Sequence, residues 1–92
     1  MLSAMTALPG DELVSKGVAD LERGEESVEA LLVSIGRPRL ERLGYRIVSP
    51  IESPEDRLYE RLAAEDSDSA HSRYNALIRR LVSFERAAES IR

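Results

Sequence analysis

Cysteine and tryptophan are both absent from the chain. Without cysteine there is no disulfide, no thiolate nucleophile and no zinc site of the Cys₂His₂ or Cys₄ kind. His71 is the only histidine, which excludes a metal site that needs two histidines from one chain. These absences remove the disulfide-stabilised and zinc-dependent classes of small protein.

Long apolar runs are lacking as well. The longest one, Ala30–Val33, is far shorter than the roughly 20 residues that span a bilayer. The first eleven residues contain no basic residue and no apolar run typical of a signal peptide. We therefore expect a cytoplasmic protein with no membrane partner. Its preference for Arg over Lys suggests a bacterial, GC-rich source.

The size and composition suit one small globular domain. The 92 residues are 42% hydrophobic and 33% charged, but only 4% aromatic, so the core must consist mostly of Leu, Val, Ile and Ala. We expect a single domain over residues 1–92, with residues 1–8 disordered. A chain this short buries only about 60–65% of its unfolded surface, which makes a deep reaction cleft improbable.

Helical spacing of apolar residues dominates the first half of the chain. Val14, Gly17, Val18 and Leu21 define one apolar stripe, which follows the acidic start at Asp11. Gly24 is placed to end this helix, and Gly17 on the stripe indicates a close approach to another helix. Ser27 can cap a second helix over 28–35, and Gly36 ends it.

The middle of the chain predicts a short helix, a connector and a fourth helix. The short helix begins at Pro38 and ends before Gly44. Residues 45–51 are expected to be extended, with apolar side chains directed into the core. Ser53 and Pro54 then give a helix start in which Ser53 is the capping residue.

The last segment carries the longest pattern. Apolar residues alternate steps of four and three at Ala70, Tyr74, Leu77, Leu81, Phe84, Ala88 and Ile91. Such a helix would be about 33 Å long, as wide as the whole expected globule of roughly 30 Å. It is therefore either the central helix of the domain or partly an interface with a second copy. No strand-like alternation competes, so we predict an all-α single-domain bundle of four to five helices with a long C-terminal helix.

Charge alternates in blocks along the chain. Residues 1–36 and 47–69 each carry a net charge of −5, whereas residues 37–46 and 70–92 each carry +3. The blocks can compensate one another within the fold or between subunits. Four carboxylates near the first helix junction, Glu22, Glu25, Glu26 and Glu29, are expected to form a solvated face that receives Arg from neighbouring segments.

The residues suggest two functions of different classes. The first is a protein–protein interaction module that self-associates as a homodimer through its C-terminal helix, at Tyr74, Leu77, Leu81, Phe84 and Ala88. The alternative is a small nucleic-acid-binding regulator that uses Arg37, Arg39, Arg42 and Arg46 on a unit resembling a helix-turn-helix. Against this alternative, the second helix of the unit is short, and acidic blocks flank it.

An enzyme is a distant third hypothesis. Ser69, His71 and Ser72 are neighbours at a helix start, without an orienting acid or an oxyanion hole. The segment from Asp66 has the opening of a calcium loop, but it lacks the required glycine and the closing glutamate. We expect no catalytic residue, no cofactor and no metal site.

Overall fold

The computed structural model describes residues 8–91, which form five α-helices. They are α1 (Asp11–Glu22), α2 (Val28–Ile35), α3 (Arg37–Arg42), α4 (Pro54–Glu65) and α5 (Ala70–Ser90). The described part contains no strand, and the predicted all-α class with a long C-terminal helix is confirmed. Of the segment predicted to be disordered, residues 1–7 lie outside the described range. Leu8 packs in a half-buried position against the core.

The centre of the bundle is α2, which packs against each of the other four helices. Five consecutive residues, from Ala30 to Ser34, are buried. A helix that is apolar on every side must be covered on every side, so the other helices surround this one. The length of the C-terminal stripe indicated α5 as a possible centre; α5 instead lies along one side of α2.

The first helix ends and packs as its glycines predict. Gly24 adopts φ +74, and the N–H groups of Gly24 and Glu25 donate to the carbonyls of Leu21 and Asp20 at 3.0 and 2.8 Å. This is the hydrogen-bond pattern of a Schellman motif. At Gly17, a Cβ would overlap the carbonyl oxygen of Glu29 and approach Val33 Cγ1 to 2.7 Å. The predicted close contact between α1 and α2 is confirmed.

The second helix and the connector join through Ser34. Its Oγ donates to the carbonyl of Ala30 at 2.9 Å and accepts from the backbone N–H of Ile51 at 3.1 Å. Ile47 is buried, and Val48 and Ile51 pack in half-buried positions against the core. The predicted core contacts of residues 45–51 are confirmed, but the segment is not extended throughout, since Ser49 adopts φ 49.

The start of α4 differs from the prediction. Ser53 adopts the left-handed conformation, with φ 49 and ψ 50, and its side chain makes no capping hydrogen bond. A capping serine normally has extended backbone angles, which direct its hydroxyl at the free N–H groups. The prediction that Ser53 caps α4 is therefore wrong, whereas Pro54 does occupy the first helical position.

The contact at Gly17 gives a stability prediction. We expect Gly17→Ala to destabilise the protein by up to about 2 kcal/mol, because overpacking costs about 1–3 kcal/mol and Ala regains about 1 kcal/mol of helix propensity. Urea unfolding measures the difference. Ser15→Ala, at an exposed site of the same helix, is the control and should change stability by less than about 0.5 kcal/mol. A stabilised Gly17→Ala variant would mean that α1 and α2 are not in such close contact.

Candidate interaction surface on the C-terminal helix

The apolar stripe predicted on the C-terminal helix lies mostly inside the domain. Leu81, Phe84 and Ala88 are buried, and Tyr74 and Leu77 pack in half-buried positions against the core. We call these five residues, with Ala70, the inner stripe. The Phe84 ring meets the ring of Tyr45 edge-on, with centroids 5.8 Å apart. At the end of the stripe, Ile91 is 71% exposed.

The inner stripe therefore already has partners within one chain. Of the five residues predicted to form a subunit interface, three have no more than 9% of their surface exposed. A second copy could reach Phe84 only if the bundle opened. Self-association stays a prediction; of the five residues predicted for it, Tyr74 and Leu77 are partly exposed in the folded domain.

A second stripe with the same heptad spacing runs beside the first. It consists of His71, Asn75, Ile78, Val82, Glu85 and Glu89, again in alternating steps of four and three. We call it the outer stripe. Ile78 and Val82 are partly exposed, His71 and Glu89 are exposed, and Glu85 is buried. The same spacing is present in the sequence, but four of the six positions are polar, so the stripe does not show as a pattern of apolar residues.

A groove of about 290 Å³ lies between the outer stripe and the α2–α3 turn. Its apolar lining comes from Ile35 and Pro38 on one side and from Ile78, Leu81 and Val82 on the other. Arg39, Arg42 and Glu85 add charge to the lining.

Gly36 brings the α2–α3 turn onto α5 at this groove. A Cβ at Gly36 would lie 2.8 Å from Glu85 Oε2 and 3.2 Å from Leu81 Cδ2. The sequence marks Gly36 only as the end of a helix. The structure shows that it also permits a close approach between α5 and the turn.

Arg39 joins α3 to α5 through two carboxylates. Its Nε and Nη2 donate to Glu89 Oε2 and Oε1 at 2.6 and 2.7 Å, and its Nη1 lies 3.4 Å from Glu85 Oε1. The paired hydrogen bonds raise the pKa of Arg39 and lower the pKa of Glu89. Such bidentate pairing fixes orientation as well as contributing attraction.

Glu85 lies in a different environment from Glu89. Its side chain is 5% exposed, and burial raises its pKa although the positive charge of Arg39 opposes the shift. Burial disfavours the charged carboxylate, so the ionised form destabilises the fold. Glu85 and Glu89 therefore have opposite effects on stability at neutral pH.

The predicted nucleic-acid contacts divide between paired and exposed residues. Arg39 is engaged with Glu89, and Arg37 Nε donates to Glu41 Oε2 at 3.1 Å. The positive charge of Arg42 opposes the rise in the pKa of Glu85 and adds to the lowering of the pKa of Glu89. Arg46 is exposed. The helix that carries three of the four arginines is six residues long. Nucleic-acid binding stays a prediction, and it would require Arg39 to leave an intrachain pair.

Of the four carboxylates predicted at the α1–α2 junction, Glu26 receives an Arg from another helix. Glu26 accepts two hydrogen bonds from Arg57 at 3.1 and 2.5 Å, which lowers its pKa. Glu25 lies 3.3 Å from Arg23, and Glu29 lies 3.7 Å from Lys16. Within residues 8–91, no cluster of three or more ligating side chains is arranged to hold a metal ion.

Sequence reasoning missed the buried carboxylate of Asp20. It accepts hydrogen bonds from Lys16 and Ser27, both at 2.6 Å, and from Arg23. These donors lower its pKa. The spacing of Lys16, Asp20 and Arg23 on one helix face is visible in the sequence, but the contact with Ser27 depends on the turn at Gly24. Asp20 thus holds the α1–α2 junction and is not a free functional group.

The side chains of His71 and Ser72 contact only residues three or four positions away in the hydrogen bonds described. His71 Nε2 lies 3.2 Å from the side-chain nitrogen of Asn75, and Ser72 Oγ donates to the carbonyl of Ser69 at 3.1 Å. None of the described helices is long and apolar enough to cross a membrane.

Comparison with known proteins gives no relative. No family model, no curated protein and no solved structure matches this chain. The functional argument therefore depends on the contacts of the chain itself.

The contrast between Glu85 and Glu89 gives a pH prediction. The pKa of Glu85 is raised in the folded state above its ordinary value of 4.5. The protonated carboxyl therefore stabilises the fold fully at pH values below 4.5. This stabilisation is lost as the pH rises through the pKa of the folded state. We expect Glu85→Gln to raise the free energy of unfolding at pH 7. This gain over the parent chain should vanish as the pH falls toward 4.5.

Glu89→Gln is the matched control, measured by urea unfolding over the same pH series. The pKa of Glu89 is lowered, so its charged form stabilises the fold above its ordinary pKa, and this contribution is lost at acid pH. The Gln variant should therefore be less stable than the parent chain at pH 7. Equal signs for the two variants would contradict the environments described for the two carboxylates.

Proposed function

We propose that this chain is a protein–protein interaction module that self-associates through α5. The observation that carries the proposal is the outer stripe, whose apolar middle borders the groove at the α2–α3 turn. Ile78 and Val82 provide this middle, and Ile35 and Pro38 extend it across the groove. An apolar centre surrounded by polar groups is the usual anatomy of a protein interface.

The monomer needs no partner to complete its core. The inner stripe is covered by the other helices, and no buried side-chain nitrogen or oxygen in residues 8–91 lacks a hydrogen-bond partner. Association would therefore take place between folded chains. The apolar centre is small, so we expect a weak, concentration-dependent dimer.

The charges around the groove favour a protein partner over a phosphate backbone. Arg39, Arg42 and Glu85 line the groove, and Arg39 pairs with Glu85 and Glu89. Nucleic-acid binding depends on many uncompensated cations, whereas a surface with both signs can complement a second copy of itself. We assign the protein to the bacterial cytoplasm on composition alone, as part of the same proposal.

Light scattering across a hundredfold dilution tests self-association. We expect the mass to rise with concentration from 10.3 kDa toward twice that value. Val82→Glu places a charge in the apolar centre and should weaken association at least about tenfold, or about 1.4 kcal/mol. Ser83→Glu, exposed on the same helix outside the stripe, should leave the dimer intact.

Thermal unfolding of both variants accompanies the mass measurement. A folded Val82→Glu variant that stays monomeric supports the proposal. A parent chain that remains at 10.3 kDa at every concentration would exclude self-association, and an undiminished dimer in Val82→Glu would place it on another surface.

A further inference from the structure

Two further grooves lie on α5, and no residue of the outer stripe lines either of them. One, of about 420 Å³, lies between α5 and the start of α2, and we call it the Leu77 groove. Its lining consists of Val28, Glu29, Arg73, Ala76, Leu77 and Arg80. The other, of about 410 Å³, lies between α5 and the start of α1, and we call it the Ser83 groove. Its lining consists of Pro9, Gly10, Ala76, Arg79, Arg80 and Ser83.

The two grooves follow each other along α5, because Ala76 and Arg80 line both of them. Together they extend from Arg73 to Ser83, which is about 15 Å of helix. Ala76 is exposed, and its small side chain leaves the middle of this surface open. At Gly10, a Cβ would lie 3.0 Å from the carbonyl oxygen of Arg80, so the start of α1 forms a close wall on one side.

The arginines of this surface are exposed and only weakly engaged. Arg73 Nη1 donates to Glu65 Oε1 at 2.9 Å, and the Arg73 side chain is still 43% exposed. Arg80 Nη2 lies 4.0 Å from Glu12 Oε2, beyond hydrogen-bond distance, and the Arg80 side chain is 52% exposed. Exposed ion pairs of this kind contribute little to stability, and a guanidinium has five N–H donors. Both side chains can therefore bind a further carboxylate.

We infer that the Leu77 and Ser83 grooves bind an acidic amphipathic helix of a partner protein. This interaction is separate from the proposed self-association. Arg73 and Arg80 are two turns apart on one side of α5, about 10.5 Å along its axis. A partner helix that lies along α5 matches this distance with carboxylates at positions i and i+7. An apolar side chain between them, at i+3 or i+4, then contacts Val28, Ala76 and Leu77.

The contacts that this helix would make are those of a helix bound in a groove. The planar guanidinium of Arg73 or Arg80 can donate two parallel hydrogen bonds to one carboxylate, which fixes the position of each end. Between these ends, the small side chain of Ala76 permits a close approach, because the distance between packed helices depends on the side chains at the contact.

The surroundings of the arginines favour an acidic helix over a phosphate backbone. Glu29 lines the Leu77 groove, and Glu12 and Glu65 lie beside Arg80 and Arg73. A nucleic acid carries closely spaced phosphates along its whole length, and these would meet the three carboxylates. A helix with two carboxylates seven positions apart presents its negative charge only at the two arginines. The apolar part of the Leu77 groove also has no counterpart in a phosphate backbone.

Fluorescence anisotropy with labelled peptides tests this inference on the full chain. The probe is an alanine-based helical peptide with two glutamates seven positions apart and one leucine between them. In the control peptide, glutamine replaces both glutamates. We expect the glutamate peptide to bind at least about tenfold more tightly at low salt, and the difference should shrink as added salt screens the exposed charges.

Arg80→Gln removes the guanidinium that lines both grooves. It should weaken binding of the glutamate peptide at least about fivefold, because charge-assisted hydrogen bonds to the carboxylate are lost. Arg86→Gln is the matched control, since Arg86 is an exposed arginine of α5 that lines neither groove. It should change the affinity by less than about twofold, because its charge is screened from the bound peptide. Thermal unfolding confirms that both variants are folded.

Val82→Glu separates this interaction from self-association, because Val82 lies on the outer stripe. This variant should bind the glutamate peptide as tightly as the parent chain does, and a loss of binding would place the peptide on the outer stripe and overturn the inference. A titration followed by ¹⁵N–¹H NMR should shift the amide signals of Ala76 and Leu77 more than that of Val82.

The outcomes distinguish a specific groove from general charge attraction. Weaker binding in Arg80→Gln than in Arg86→Gln supports the inference. Equal losses in the two variants, equal affinity for the two peptides, or no binding of the glutamate peptide would each overturn it. Tighter binding of a single-stranded DNA with the same net charge as the glutamate peptide would also overturn it, in favour of a phosphate backbone.

Discussion

The burial of α2 on every side is the constraint on which the rest of the structure depends. Its run of buried residues from Ala30 to Ser34 can be covered only if the other helices surround it. The close approach at Gly17 brings α1 onto one side. The Ser34 hydroxyl donates a hydrogen bond to the carbonyl of Ala30 within this core. It also accepts one from the backbone N–H of Ile51, which holds the connector of residues 45–51 against α2. The short length of α2 also limits how much of the longer α5 it can cover.

As a result, the two stripes of α5 have different surroundings. The inner stripe supplies Leu81 and Phe84 to the core. The outer stripe borders the α2–α3 turn, where Gly36 permits close contact and Arg39 holds Glu89. The features that attach α3 to α5 thus also shape the groove on which the proposed self-association depends.

Local signals in the sequence predicted most of the helices. Gly24 and Gly36 end helices where predicted, Ser27 caps α2 with its hydroxyl, and Gly17 marks a close contact. These features depend on neighbouring residues, and Gly24 also adopts φ +74, which few other residue types adopt. Ser53 shows the limit, because its backbone conformation depends on how the connector packs and not on its identity.

Features that depend on distant residues could not be predicted. Arg39 and Glu89 are fifty positions apart, and the alternating charge blocks do not specify which residues pair. The choice between a core helix and a subunit interface for α5 was left open for a similar reason. Periodicity shows that a stripe is buried, but the choice between the chain's own helices and a second copy depends on tertiary packing. Because α2 and the other helices cover Phe84 and Ala88, a partner must contact other residues of α5.

The central claim is that α5 uses its inner stripe within the chain and its outer stripe between chains. An isotope-filtered NOE experiment on a mixture of labelled and unlabelled protein tests it most directly, since it detects only contacts between copies. The account predicts intermolecular NOEs from the methyl groups of Ile78 and Val82, which line the groove, and none from the ring of Phe84, which is fully buried. Intermolecular NOEs to the ring of Phe84, or a concentrated sample without any, would contradict it.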